Sequence, residues 1–162
     1  MSKSILENLN IILPEGNMPR IYIVPKGHKP NYKLMSYVIQ LITLNPYHWD
    51  QRSWRCGTSF CFAGWVDFLA AYQHDLNSVK SWSNYCKQDF ESVTSSLLTS
   101  KYYEKKIKEL KGSSFILTVA SSAQLFLGIS DYARVRLFRP TNSIEDLRNK
   151  VNDIKEHSFY WL

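Results

Sequence analysis

Phe60-Cys61-Phe62-Ala63-Gly64-Trp65-Val66-Asp67-Phe68-Leu69-Ala70-Ala71-Tyr72 is apolar on nearly every side of a helical wheel. A helix on a protein surface keeps a polar stripe, so a helix without one belongs inside a packed core. Thr58 or Ser59 can supply the capping oxygen at its start, and Gly64 leaves room for a second element to come close. The stretch predicts a mainly α fold built around one buried central helix.

Upstream, Asn31 is a good N-cap, and Leu34, Met35, Val38, Leu41 and Ile42 follow a 3.6-residue period until Asn45-Pro46 ends it. Further back, Arg20-Ile21-Tyr22-Ile23-Val24 is a β-rich run stopped by Pro25, which allows a short strand pair near the N-terminus. Residues 1–19 carry Pro14, Gly16 and Pro19 and are expected to be loosely ordered. Downstream, residues 77–111 are polar and rich in Ser, Lys and Tyr, with Trp82, Tyr85 and Phe90 as the larger anchors; the segment reads as a variable insertion. Ser114 to Leu127 predicts a second apolar helix closed by Gly128, and Ser130 opens a short helix ending near Phe138, before Pro140. Ser143-Ile144-Glu145-Asp146 has capping-box spacing ahead of Leu147, Val151 and Ile154. No internal repeat or long linker divides the chain, so its 162 residues predict one compact helical bundle, residues 1–162 forming a single domain.

No apolar run approaches the roughly 18 to 20 residues of a membrane span, and the N-terminus lacks the apolar core of a secretion signal. A cytoplasmic protein with no membrane partner is expected. Three cysteines, an odd number, then favour reduced thiols over a disulfide framework. The net charge of +6 makes nucleic acid a candidate partner, because Lys and Arg that neutralise phosphates release counterions. The one dense basic cluster, Lys101, Lys105, Lys106, Lys108 and Lys111, is interrupted by Glu104 and Glu109. Glu104 and Lys108 are an i, i+4 pair, so a solvated helix face competes with a phosphate track.

The loop before the central helix is chemically unusual: residues 49–65 hold three of the five tryptophans and two of the three cysteines. Trp54-x-Cys56-Gly57-Thr58-x-x-Cys61-x-Ala63-Gly64-Trp65 resembles a pattern in small uncharacterised proteins of bacteriophages, cyanobacteria and actinobacteria. Asn45-Pro46-Tyr47-His48-Trp49-Asp50-Gln51 before it is similar to the stretch that precedes the motif in that group. Leu127-Gly128-Ile129-Ser130, Leu137-Phe138 and Thr141 to Leu147 are similar to its closing helices. The resemblance spans about residues 38–154 apart from the Lys-rich middle, and implies a compact helical fold in a phage or mobile-element context. It supplies no activity, but many such proteins act by binding a host protein.

A cysteine at a helix N-terminus can be a nucleophile, since the dipole and free N–H groups lower its pKa. Cys61 is so placed, and a cysteine hydrolase is one reading. Its general base is the difficulty: His74 lies thirteen residues along the same helix, roughly 20 Å away at 1.5 Å per residue, while His28 and His48 precede the cysteine and His157 is near the C-terminus. A small buried cysteine starting a core helix is the competing reading. Zinc could draw on Cys56, Cys61, Cys86 and His48, but Cys56-x4-Cys61 lacks the second cysteine pair of a structural site, so no metal is predicted. Trp49, Trp54 and Trp65 with Arg52 and Arg55 could stack on a base, or the aromatics could clamp the loop onto the bundle, their indole N–H groups bonded to loop carbonyls. No glycine-rich phosphate loop, paired carboxylates or Ser/His/Asp arrangement is visible, and no cofactor is expected.

The sequence therefore favours a non-enzymatic protein that binds and modulates a host protein, with a nucleic-acid-binding accessory protein and a Cys61 hydrolase as alternatives. The expected binding surface is the aromatic and basic loop with Tyr47, His48, Trp49, Arg52, Trp54 and Arg55, joined by Lys101, Lys105 and Lys106. Exposed aromatics and arginines are the usual interface hot spots.

Overall fold

The computed structural model describes residues 5–52, 55–56, 59–74, 101–112, 114 and 118–157. The chain is mainly helical: α1 (Ile5–Asn8), α2 (Tyr32–Leu44), a 3-10 turn (Pro46–His48), α3 (Phe62–His74), α4 (Lys101–Lys111), α5 (Val119–Leu127), α6 (Asp131–Leu137) and α7 (Ile144–Glu156). The all-round apolar stretch is α3, and every residue from Phe62 to Ala71 is buried. Helices α5 and α2 pack against it, and α7 packs against α2.

Helices α2, α5, α6 and α7 begin where a side chain satisfies one of the backbone N–H groups that have no intrahelical acceptor. Asn31 Oδ1 accepts the Leu34 N–H at 3.1 Å. The Ser143 hydroxyl and the Asp146 carboxylate exchange bonds with each other's backbone N–H groups at 3.0 and 2.8 Å, completing the capping box read from the sequence. Helix α5 starts later than the expected Ser114. Thr118 is extended there and forms a reciprocal capping box with Ser121, which fixes the first turn at Val119. Gly128 closes α5 in the left-handed conformation, at φ 69°.

The strand pair does not form where the β-rich run predicts it. The strands are β1 (Arg55–Cys56) and β2 (Ser59–Phe60), an antiparallel hairpin just before α3. Residues 20–25 form no strand, and their polar groups find a helix side chain and a helix end rather than a neighbouring strand. Gln73 accepts the Ile21 N–H at 2.8 Å and donates to the Pro19 carbonyl at 3.1 Å, while the Val24 N–H reaches the Leu125 carbonyl at 3.0 Å. Farther upstream, the Asn45 side chain pairs with Ile12 as a strand residue would, accepting its N–H and donating to its carbonyl, both at 2.7 Å. Those two bonds hold the N-terminal segment to the end of α2.

A close approach of two segments occurs at Gly128, where a Cβ would lie 2.6 Å from Val24 Cγ1. Helix α4 is anchored by Ile107, which is fully buried between exposed lysines. The anchors expected at Trp82, Tyr85 and Phe90 lie outside the described residues.

Candidate functional site

The loop between α2 and α3 is organised by Gln51, a buried amide. Its Oε1 accepts the Phe62 N–H at 3.0 Å, satisfying the first donor of α3, and receives the Trp49 indole N–H at 3.4 Å. Its Nε2 donates to the carbonyls of Leu137 and Arg139, at 3.3 and 3.2 Å. One side chain thus ties the loop to the start of α3 and the end of α6. Asp50 adds a second tie, its backbone N–H bonding the Phe60 carbonyl at 2.9 Å. Glutamine serves here because it offers an acceptor and a two-fold donor on one planar group.

On this frame the Pro46–His48 turn projects Tyr47, whose relative exposure is 92%. Ile12 and Leu44, 59% and 42% exposed, gather with it around Asn45. Arg52 stands on the rim, bonded to Asp50 at 3.2 Å. That side-chain bond, with the Arg52 backbone N–H, holds the Asp50 carboxyl below the usual carboxylate range. His48 is half-buried, and Trp49 is half-buried against the core. Trp54 and the side chains of Arg55 and Lys101 lie outside what is described; Arg55 contributes backbone to β1 and Lys101 to α4.

The structure separates the two halves of the expected surface. Loop 47–52 meets the N-terminal end of α3 at Phe62. Lys106 lines a cleft with His74, at the opposite end of α3, so about 18 Å of helix lies between them at 1.5 Å per residue. Lys105 and Lys106 are exposed there on α4, remote from the aromatic patch.

The tryptophan platform does not form. Trp65 is fully buried, with its ring centroid 4.6 Å from that of Phe60 and 5.7 Å from that of Phe68 in an edge contact. It is a core residue, so it cannot stack on a solvent-borne base beside Trp49. The clamp reading is also corrected in detail. The Trp49 N–H bonds to a side chain instead of a loop carbonyl, and the Trp65 N–H has no hydrogen-bond partner in the core.

Cys61 occupies the position just before α3, and its Sγ accepts the Gly64 N–H at 3.4 Å. This is the spacing of an N-cap serine, so the thiol performs the capping expected of Thr58 or Ser59. Ser59 is instead in β2, and Thr58 is outside the described residues. Burial pushes the Cys61 thiol up to about 12, against the lowering effect of the N–H groups of Gly64 and Ala63. Desolvation outweighs the helix N-terminus, and a protonated, inaccessible thiol is not a nucleophile. His74, at the far end of α3, bonds the Ile21 carbonyl at 3.3 Å. The hydrolase reading therefore loses Cys61 as its nucleophile, and His74 stays at the far end of α3, as the sequence spacing already required. Among the described residues no three His, Cys, Asp or Glu side chains converge as a metal site; Cys86 and the Cys56 side chain are outside them.

Two residues of structural weight carry weak sequence signals. Gln51 sits in a quoted motif, but nothing local marks its amide as a hub; its carbonyl partners are 86 and 88 residues away. Asp67 is wholly buried in α3, where its Oδ1 accepts the Ser122 hydroxyl at 2.9 Å and links α3 to α5. A lone Asp in an otherwise apolar helix was the available clue. Comparison of the chain with protein-family models, curated proteins and solved structures finds no match.

Proposed function

We propose that the chain is a non-catalytic binding protein of a phage or mobile element, acting in the cytoplasm by occupying a surface on a host protein. The observation that carries this reading is the exposure of three large apolar side chains, Tyr47 on the turn, Leu44 at the end of α2 and Ile12 on the segment that Asn45 ties beside them. Large exposed apolar side chains grouped with an arginine have the composition of an interface hot spot. The bonds of Asn45 and Gln51 fix the turn in advance, so little ordering entropy is lost on association. The burial of Cys61 counts against the cysteine-hydrolase alternative.

The test is affinity capture from host lysate, with and without nuclease, using the native chain beside Tyr47→Ala, Arg52→Glu and Lys105→Glu/Lys106→Glu. The expected result is one stoichiometric protein that survives nuclease, is lost with Tyr47→Ala and is kept by the lysine variant. Capture indifferent to Tyr47 and Arg52 would refute this surface. Nuclease-sensitive capture lost with the lysine variant would transfer the function to nucleic-acid binding through α4.

A further inference from the structure

A cleft of about 730 Å³ opens at the other end of the molecule, between the 23–28 segment, the end of α5 and the last turn of α4. Val24, Leu125 and Ile129 are among its apolar lining residues. Leu110 lies on the same cleft yet remains 66% exposed, a large apolar side chain with no covering among the described residues. Lys26, His28 and Lys111 supply the basic groups of the lining, beside the polar Gln124 and Ser130, and among the described residues no acidic side chain contributes to it. The Asp131 carboxylate belongs to the adjoining hollow, where Gln124 donates to it at 3.1 Å and Arg134 pairs with it at 3.7 Å.

The walls are fastened together by backbone hydrogen bonds. The Val24 N–H bonds the Leu125 carbonyl at 3.0 Å, and the Asn31 N–H bonds the Leu127 carbonyl at 2.8 Å. The 25–28 turn is closed by the bond from the His28 N–H to the Pro25 carbonyl, at 3.1 Å. Val24 lies so close to Gly128 that no side chain fits between them. An apolar cleft of this size, its walls tied by hydrogen bonds and a few polar groups in its lining, has the usual form of a small-molecule site.

We infer that this cleft binds a small anionic amphiphile, with an apolar chain or ring lying between Leu110, Leu125 and Ile129 and a carboxylate held by Lys26 and Lys111. Charge complementarity selects the sign of the head group: two ammonium groups over an apolar floor disfavour a cation and leave a neutral head without a counter-charge. The size of the cleft suits one free molecule rather than the face of a bilayer. The site is independent of the Tyr47 patch, so either reading can fail alone.

The test uses the full chain and isothermal titration with decanoate below its micelle concentration. Acetate supplies the head alone, decanol the tail with a neutral head, and phosphatidylglycerol vesicles a membrane source of the same charge. Saturable one-to-one decanoate binding is expected, with acetate undetectable and decanol at least roughly tenfold weaker, the size of one lost charge-assisted contact. Lys26→Glu/Lys111→Glu should weaken decanoate by roughly tenfold or more, and Leu110→Ser by several-fold. These side chains are exposed, and the comparison of ligands on the native chain requires no variant to fold. Equal binding of decanoate and decanol, absence of saturable decanoate binding, or binding to vesicles alone would each overturn the inference.

Discussion

Replacing Gln51 with alanine is expected to destabilise the fold by about 3 kcal/mol. The three bonds at 3.0 to 3.3 Å contribute unequally. The Phe62 N–H opens a buried helix and would be left without its acceptor, which costs about 2 kcal/mol. The Leu137 and Arg139 carbonyls keep bonds from Asn142 at 2.9 and 3.1 Å, so the two lost amide bonds together cost only about 1 kcal/mol. The 3.4 Å bond from Trp49 is long enough to neglect. For a chain of this size the total corresponds to a fall in Tm of about 6 to 12 °C, measured by far-UV circular dichroism and checked by urea titration. Gln51→Glu keeps the acceptor for Phe62 but turns a carboxylate oxygen toward two carbonyls, so at neutral pH it should be at least as damaging as alanine. A loss below about 1 kcal/mol for Gln51→Ala, or a glutamate variant as stable as the native chain, would refute the assignment of Gln51 as the structural hub.

Other consequences concern the thiol, one glycine and one cap. Because the Cys61 thiol is raised in the folded state, its neutral form stabilises the fold fully below the ordinary thiol pKa, and that contribution declines as pH climbs toward about 12. Cys61→Ala should flatten the alkaline fall in Tm, and peptide mapping should find Cys61 alkylated only after unfolding. Gly128→Ala must place a Cβ on Val24 at a left-handed φ, a combined cost of about 3 kcal/mol in urea titration, and it should weaken decanoate binding in parallel. Asp146 is held below the usual carboxylate range by the Ser143 backbone N–H, then by the Ser143 side chain. Its contribution is present above the unfolded-state pKa and is lost as pH falls through the lower folded value, so the Tm gap between the native chain and Asp146→Ala should close on acidification.

Periodicity and capping chemistry in the sequence already determined much of this protein. A helix apolar on all sides has only the core to occupy, and the runs after Asn31, Ser130 and Ser143 carry their own start signals and their own buried faces. Gly128 likewise announced the end of α5, because a left-handed residue there favours glycine. Tertiary structure alone decided the remainder, since those properties depend on partners remote in the chain. Arg20 to Val24 has strand composition, yet its Ile21 and Val24 N–H groups bond Gln73 and Leu125 rather than a neighbouring strand. Cys61 has a helix N-terminus beside it, but only packing shows that desolvation outweighs that dipole. The aromatic loop and the lysine helix looked like one surface in a linear reading, and the length of α3 placed them at opposite ends of the fold.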